Sequence, residues 1–146
     1  IVLACDMVVA VEHAQFALPQ VRRGLIAAAG GLYRLPRTIP IPIALELITT
    51  ARSMSATEAH RWGLANRLAS ANRLLDEAMA LARDITRNAP VAVRESLRVA
   101  RQAFILDESE LRELSRDARA IARRSDDYAE GARAFVEKRE PRWKGR

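Results

Sequence analysis

The residues best suited to chemistry lie in one loop between a short apolar run and a helical pattern. Gln20 follows a Leu-Pro pair, and Gly30 and Gly31 close the loop just before a helix is predicted to begin. Loops at strand ends commonly display functional groups on a rigid scaffold. Glycines let the backbone approach a ligand closely, and the helix N-terminus beyond them presents N–H groups. Judged by the pattern alone, a tight turn without function is the more common meaning.

The other reactive residue types form no cluster. Cys5 is the only cysteine, which excludes an internal disulfide and is typical of a protein from a reducing compartment. Its simplest interpretation is a small buried hydrophobe. His13 and His60 have no neighbouring set of His, Cys or carboxylate ligands, so both are expected at the surface and no metal site is predicted.

Composition limits the classes of partner. The chain has 146 residues, is 49% hydrophobic and carries a net charge of +6, which predicts at most one domain and favours anionic partners. Aromatic residues make up only 5%, too few for a platform that stacks single-stranded nucleic acid, so nucleic acid is not the expected partner. No apolar run reaches 18 residues, and no membrane span is predicted.

Local patterns divide the first half into short strands and helices. Residues 7–11 are apolar throughout, which predicts a strand covered on both faces. Ser55 and Glu58 have the spacing of a capping box, and Gly63 is placed to end the helix that they start. The other predicted elements are a helix over residues 31–37 that Pro36 and the segment 39–42 end, a helix over residues 42–49, and a strand over residues 64–68.

The second half is predicted to be helical. Apolar residues recur at helical spacing over residues 74–85, 93–104 and 111–121, the second stripe ending at Phe104. Asp107 to Glu110 has capping-box spacing, and Asp127 and Glu130 are predicted to cap a last helix. Basic residues then concentrate in the tail, where the plainest interpretation is a solvated basic segment.

Several separated motifs, in one order, resemble the enoyl-CoA hydratase/isomerase family, the crotonases. They are the stretch from Ala4 to Arg37, the segment from Ala44 to Leu68, and the tail from Phe135 to Arg146. The resemblance implies an α/β fold in which residues 1–69 belong to the crotonase spiral of strand–strand–helix turns and residues 70–146 form a helical trimerisation region. It also implies a homo-oligomer, a trimer or a dimer of trimers. The tail and the segment 61–67 are most similar to carnitinyl-CoA dehydratase-like members.

The same resemblance implies an acyl-CoA thioester as substrate, with coenzyme A as part of that substrate and no separate cofactor. Gln20 stands where hydratases of the family carry the second of two catalytic glutamates, and the first falls just before Ile1. Ala28 stands where a glycine N–H holds the catalytic water. Phe135 and Lys138 match positions that contact the adenine and the phosphates of coenzyme A. An amide hydrogen-bonds but exchanges no proton at neutral pH, so Gln20 departs from two-carboxylate hydration.

These implications favour a cytoplasmic enzyme of the enoyl-CoA hydratase/dehydratase type that works through a stabilised thioester enolate. The alternatives are an isomerase or another crotonase-type lyase, and a non-catalytic or RNA-binding relative that uses Arg119, Arg123 and Arg124. Because the chain begins inside an apolar run, we expect it to be the second half of a longer protein, inactive by itself.

Overall fold

The computed structural model describes residues 1–146 and divides them into two compact units, residues 1–80 and residues 81–146. The predicted assignment of residues 1–69 to a spiral core and 70–146 to a helical region stays a prediction. The strands are β1 Val9–Val11, β2 Gln15–Phe16, β3 Met54–Ser55 and β4 Arg67–Ala69. The helices are α1 Gly31–Thr38, α2 Ile41–Thr50, α3 Ala56–Arg61, α4 Leu74–Thr86, α5 Pro90–Ala100, α6 Glu108–Arg124 and α7 Asp126–Glu137.

The strands form two small ladders. β1 pairs in parallel with β4, with Ala10 opposite Leu68, and β2 pairs antiparallel with β3, with Phe16 opposite Met54. The predicted strand over residues 7–11 is shorter than expected and is not covered on both faces. Only Ala10 is buried in β1, and Met7 is 41% exposed.

The predicted strand over residues 64–68 is also displaced toward the C-terminus. The N–H groups of Leu64 and Ala65 both donate to the carbonyl of Ala59, at 2.8 and 3.1 Å. These residues therefore complete the end of α3, where Gly63 adopts a left-handed conformation (φ 84°). Pairing with β1 begins only at Arg67.

Pro36 does not end α1, contrary to the sequence-based expectation. It lies inside the helix, and the Ile39 N–H still donates to the Leu35 carbonyl at 3.1 Å. Proline removes its own N–H donor and crowds the carbonyl of Leu32, but the N–H groups after it can still bond. The helix therefore continues to Thr38 and ends directly before the other predicted stop signal, the segment 39–42.

Two other helix starts agree with the prediction: Pro42 lies in the first turn of α2, and Ser55 Oγ accepts the Glu58 N–H at 3.2 Å at the start of α3. This bond is one half of the predicted capping box, and the Glu58 carboxylate bonds Arg52.

The core of the first unit forms where β3 meets the first three helices. Met54 is its largest fully buried side chain. The other buried members are Ala10, Leu35, Ile39, Ala44, Leu47, Ala59, Leu64 and Ala65. Because β2 pairs with β3, this core fixes the strand from which the loop carrying Gln20 departs.

An arginine joins two of the helices around that core. Arg52 donates to both carboxylate oxygens of Glu58, at 2.7 and 3.0 Å, and to Glu46 at 2.7 Å. These charge-assisted bonds hold the pKa of Glu58 below its ordinary value and raise the pKa of Arg52. Arg52 therefore links Glu46, in the body of α2, to Glu58, in the first turn of α3.

In the second unit, the capping box at Asp107 is confirmed, because both of its reciprocal hydrogen bonds start α6. The predicted stripe that ends at Phe104 is wrong at that residue. α5 stops at Ala100, and Phe104 lies in the following turn with 75% of its surface exposed.

None of the seven α-helices combines the length and the apolar character that a membrane-spanning helix requires.

Asp127 and Glu130 do not cap α7; they hold the C-terminal tail instead. Ser125 is the N-cap residue. Asp127 is 2% exposed and accepts the N–H groups of Lys144 and Gly145, at 2.6 and 3.0 Å. Glu130 accepts the Arg142 N–H at 2.8 Å and two bonds from the guanidinium of Arg139. The backbone of the tail is therefore tied to α7, while its basic side chains remain exposed to solvent.

The hydrogen bonds from Arg139, and then from the Arg142 N–H, lower the pKa of Glu130 from 4.5 to about 2. A carboxylate whose pKa is depressed on folding stabilises the protein above its unfolded pKa, and this contribution is lost as pH falls toward the folded value. We expect the melting temperature of the wild type to exceed that of Glu130→Gln at neutral pH and to converge on it between pH 4.5 and about 2.

Circular dichroism melts at a series of pH values measure this convergence. Glu113→Gln is the matched control, since Glu113 contacts only the exposed Arg116, at 3.6 Å, and such surface pairs contribute little. A difference between Glu130→Gln and wild type that stays constant from neutral pH to pH 2 would contradict the role of the charge.

Candidate functional site

The loop after β2 is built on a tight 3-10 turn, Pro19–Arg23, that fixes the backbone of Gln20. The Gln20 carbonyl accepts the Leu25 N–H at 3.1 Å, and Gly24 ends the turn in a left-handed conformation (φ 66°). Proline at the first position sets the backbone angle that such a turn needs. The position of Gln20 is thus determined by local hydrogen bonds.

Gly31, the first residue of α1, allows the two ends of this loop to meet. A Cβ atom placed there would lie 2.8 Å from Ala27 Cβ and 3.0 Å from Leu18 Cδ2. Gly31 does not have a positive φ, so the glycine is required by space and not by backbone angle. Its missing side chain lets Leu18, two residues before Gln20, pack directly on the start of the helix.

The turn and the helix start line one cavity of about 580 Å³. Its walls are the 3-10 turn Val2–Ala4, residues 15–18 with Gln20, and residues 26–31, closed at the inner end by Leu47 and Met54. A volume of this size and a mostly apolar lining are typical of sites for small molecules. No side chain caps α1, so its first N–H groups are available at this wall.

The Gln20 side chain supplies a polar group within that apolar wall. Its Oε1 atom is buried and has no hydrogen-bond partner. A buried acceptor without a donor is unfavourable by about 1–3 kcal/mol, and such groups in folded proteins call for an explanation. Because no protein group holds the amide, it can turn to present its oxygen or its NH₂ group to a molecule in the cavity.

Ala28 lines the same cavity, as predicted, but its N–H already has a partner. It donates to the Ile26 carbonyl at 2.9 Å, closing a three-residue turn. The predicted role of this N–H in holding a water stays a prediction, and it requires that the bond to Ile26 be shared or broken. The unpaired N–H groups at the start of α1 are the other donors of this segment.

Arg34 also lines the cavity, although no residue pattern singled it out. On the first turn of α1, its guanidinium Nη1 donates to the Leu3 carbonyl at 3.3 Å and lies over the ring of Tyr33. Its side chain is also 3.1 Å from the position that a Cβ on Gly30 would occupy. Arg34 therefore ties the turn Val2–Ala4 to the glycine pair. The only sequence signal is its place just after two glycines.

Phe135 and Lys138 belong to the second unit, whereas Gln20 and Ala28 belong to the first. Phe135 is near the end of α7 with 85% of its surface exposed, and Lys138 is the residue that follows this helix. Their predicted contact with coenzyme A stays a prediction. His13 and His60 are exposed, as expected, but Cys5 is also exposed, so its interpretation as a buried hydrophobe is wrong. No group of three or more His, Cys, Asp or Glu side chains is placed to hold a metal ion.

Comparison with known proteins gives one consistent result. The sequence model of the family described as enoyl-CoA hydratase/isomerase matches residues 1–146. The carnitinyl-CoA dehydratase of Proteus mirabilis is 41% identical over 150 residues, which is 99% of this chain and 57% of that protein. The carnitinyl-CoA dehydratase of Salmonella arizonae is 39% identical over 147 residues, 98% of this chain and 56% of that protein.

Solved structures agree with the sequence relatives. The crystal structure of an enoyl-CoA hydratase from Mycobacterium tuberculosis superimposes with a TM-score of 0.94 at 41% identity, covering 99% of this chain and 57% of that one. An enoyl-CoA hydratase from Bacillus anthracis gives a TM-score of 0.94 at 35% identity, covering 99% and 56%. The chain therefore spans less than two thirds of the length of these relatives, and the α/β fold implied by the motifs is confirmed.

The close approach at Gly31 predicts the effect of adding one methyl group there. Gly31→Ala is expected to destabilise the protein by about 1–3 kcal/mol, because the new Cβ overlaps Ala27 Cβ, which belongs to the loop and has no flexible end to move. Denaturant unfolding measures the loss. Gly131→Ala is the matched control, since a Cβ on this helical glycine meets only Trp143, at 3.4 Å, and alanine favours a helix. Equal stability of Gly31→Ala and wild type would show that the loop does not depend on this contact.

Proposed function

Because the chain belongs to the enoyl-CoA hydratase/isomerase family, we propose that the intact protein acts on an acyl-CoA thioester, as an enzyme of the enoyl-CoA hydratase/dehydratase type. The relatives named carnitinyl-CoA dehydratase support the dehydratase form of this reaction. Coenzyme A enters as part of the substrate. The chemistry in the cavity is proton transfer beside a thioester whose oxygen becomes negative as an enolate forms.

The observation that carries this proposal is the Gln20 amide, an unpartnered polar group in an apolar cavity beside the start of α1. An amide cannot serve as general acid or base at neutral pH, but it can hold a water or a substrate hydroxyl through one hydrogen bond. We therefore assign Gln20 a binding and orienting role. The proton is then moved by a single carboxylate, which we place in the part of the protein outside this chain.

The second unit supports a further part of the proposal, contact with coenzyme A. Phe135 offers an exposed ring and Lys138 an exposed ammonium group three residues away. A ring can cover an adenine, and lysine is a good point-charge partner for phosphate. We propose that these two side chains bind the nucleotide end of the substrate.

Isomerase chemistry is the alternative to hydration or dehydration, since moving a double bond also needs only one group that carries the proton.

The Gln20 assignment predicts a gain of function. With one acid–base group, hydration of crotonyl-CoA by the intact wild-type protein should be slow, and Gln20→Glu should raise kcat/KM by about tenfold or more, because a general acid–base group contributes about 10²–10⁴-fold. Steady-state hydration kinetics measure the change. Gln102→Glu, the same substitution in the second unit, should have no effect. Efficient hydration by wild type, with loss in Gln20→Glu, would show that the amide suits the natural substrate and that a second carboxylate is not missing.

We further propose that the intact protein is a homo-oligomer, a trimer or a dimer of trimers. Large apolar side chains remain exposed in the second unit, and exposed apolar surface of this kind marks sites of association. They are Phe104, Ile105, Ile121, Tyr128, Phe135 and Val136. Light scattering at micromolar concentration should give the mass of three or six chains, whereas a monomer mass would contradict the proposal.

A further inference from the structure

Lys138 adopts a backbone conformation that lysine rarely takes. Its φ is 53°, in the left-handed region, and Ala51 is the only other non-glycine residue with a positive φ. Helices commonly end in such a residue, but glycine is the usual choice because it has no Cβ to crowd the backbone. The left-handed conformation is unfavourable for lysine, so contacts with the surrounding residues must hold Lys138 in it.

Those contacts come from the residue that follows. Arg139 donates to Glu130 from Nη1 and Nη2, at 2.6 and 3.1 Å, and from Nε to Glu137 at 2.6 Å. The Arg139 N–H also donates to the Ala134 carbonyl at 3.1 Å. Glu130 lies two turns earlier on α7, so this fork ties the residue beyond Lys138 back onto the body of the helix.

Ion pairs involve three of the tail's basic side chains but not those of Lys138 and Arg142. Arg139 is paired with Glu130 and Glu137, and the charged ends of Lys144 and Arg146 each lie 3.5 Å from Asp126. Glu130 is ionised at any physiological pH, because the hydrogen bonds from Arg139 lower its pKa to about 2. Lys138 makes no ion pair, so its ammonium group remains open to an anionic ligand.

We propose that Glu130 is a positioning residue: through Arg139 it fixes the left-handed turn that presents Lys138 to the phosphates of coenzyme A. The inference rests on the proposed contact between Lys138 and coenzyme A, and it adds the group that orients that contact. Glu130 itself touches no substrate. Its carboxylate sets the direction of the Lys138 side chain by holding Arg139, the residue that directly follows Lys138.

The test is a double-mutant cycle in the intact protein, with titration calorimetry of coenzyme A as the measure of binding. Lys138→Met and Glu130→Gln should each weaken coenzyme A by about threefold to tenfold, and the double variant should match Lys138→Met within about a factor of two. The KM for crotonyl-CoA should rise in parallel while kcat stays unchanged, the pattern of lost uniform binding. A general structural defect would instead persist in the Lys138→Met background.

Two further variants keep the result decisive. Arg139→Gln breaks the same fork from its more exposed side and should reproduce Glu130→Gln, which covers the case in which Glu130→Gln folds poorly. Glu113→Gln removes a carboxylate from the exposed pair on α6 and should leave binding unchanged. Additive losses, or no loss with Glu130→Gln and Arg139→Gln, would overturn the positioning role alone. No loss with Lys138→Met would overturn the proposed contact with coenzyme A and this inference with it.

Discussion

The candidate site depends on a close contact that only a residue without a side chain allows. Gly31 begins α1 with no Cβ, and Leu18 and Ala27 occupy the space that a side chain would take. This contact closes the loop at both ends, with Gln20 on one arm and Ala28 on the other. It also places the uncapped start of α1 at the wall of the cavity. Interiors are packed closely enough that a single methyl group here would move the loop.

Each unit is held by an arginine that bonds two carboxylates. In the first unit Arg52 joins Glu46 to Glu58, and in the second Arg139 joins Glu130 to Glu137. A guanidinium fork suits this task because its donors lie in fixed directions in one plane. The first fork fixes helices around the core that supports the strand before the loop. The second fixes the residue after Lys138, and so the one tail position where a free positive charge is held in a strained backbone.

The two functional proposals have a common logic, since both concern a polar group left without a protein partner. Gln20 Oε1 is buried and unpaired in the cavity, and the Lys138 ammonium is unpaired among basic residues that mostly have acidic partners. Buried polar groups without a partner are rare in folded proteins, so this argument applies to Gln20, whereas the exposed Lys138 ammonium is hydrated until an anion displaces the water.

The sequence by itself determined the family, the α/β fold and the starts of most helices, because motif order, proline at a first turn and capping-box spacing are local signals. It placed Gln20 and Ala28 in one loop, and the structure shows both lining one cavity.

Only the tertiary structure decided which polar groups already have a hydrogen-bond partner within the protein. The Ala28 N–H donates to the Ile26 carbonyl, while Asp127 and Glu130, which resemble caps in the sequence, bond residues 9 to 18 positions away. The limits of the strands were also decided by the tertiary structure. β4 begins only where it pairs with β1, and the residues before it complete the end of α3. Hydrogen bonds across such separations depend on the path of the chain in space, which local residue patterns do not encode.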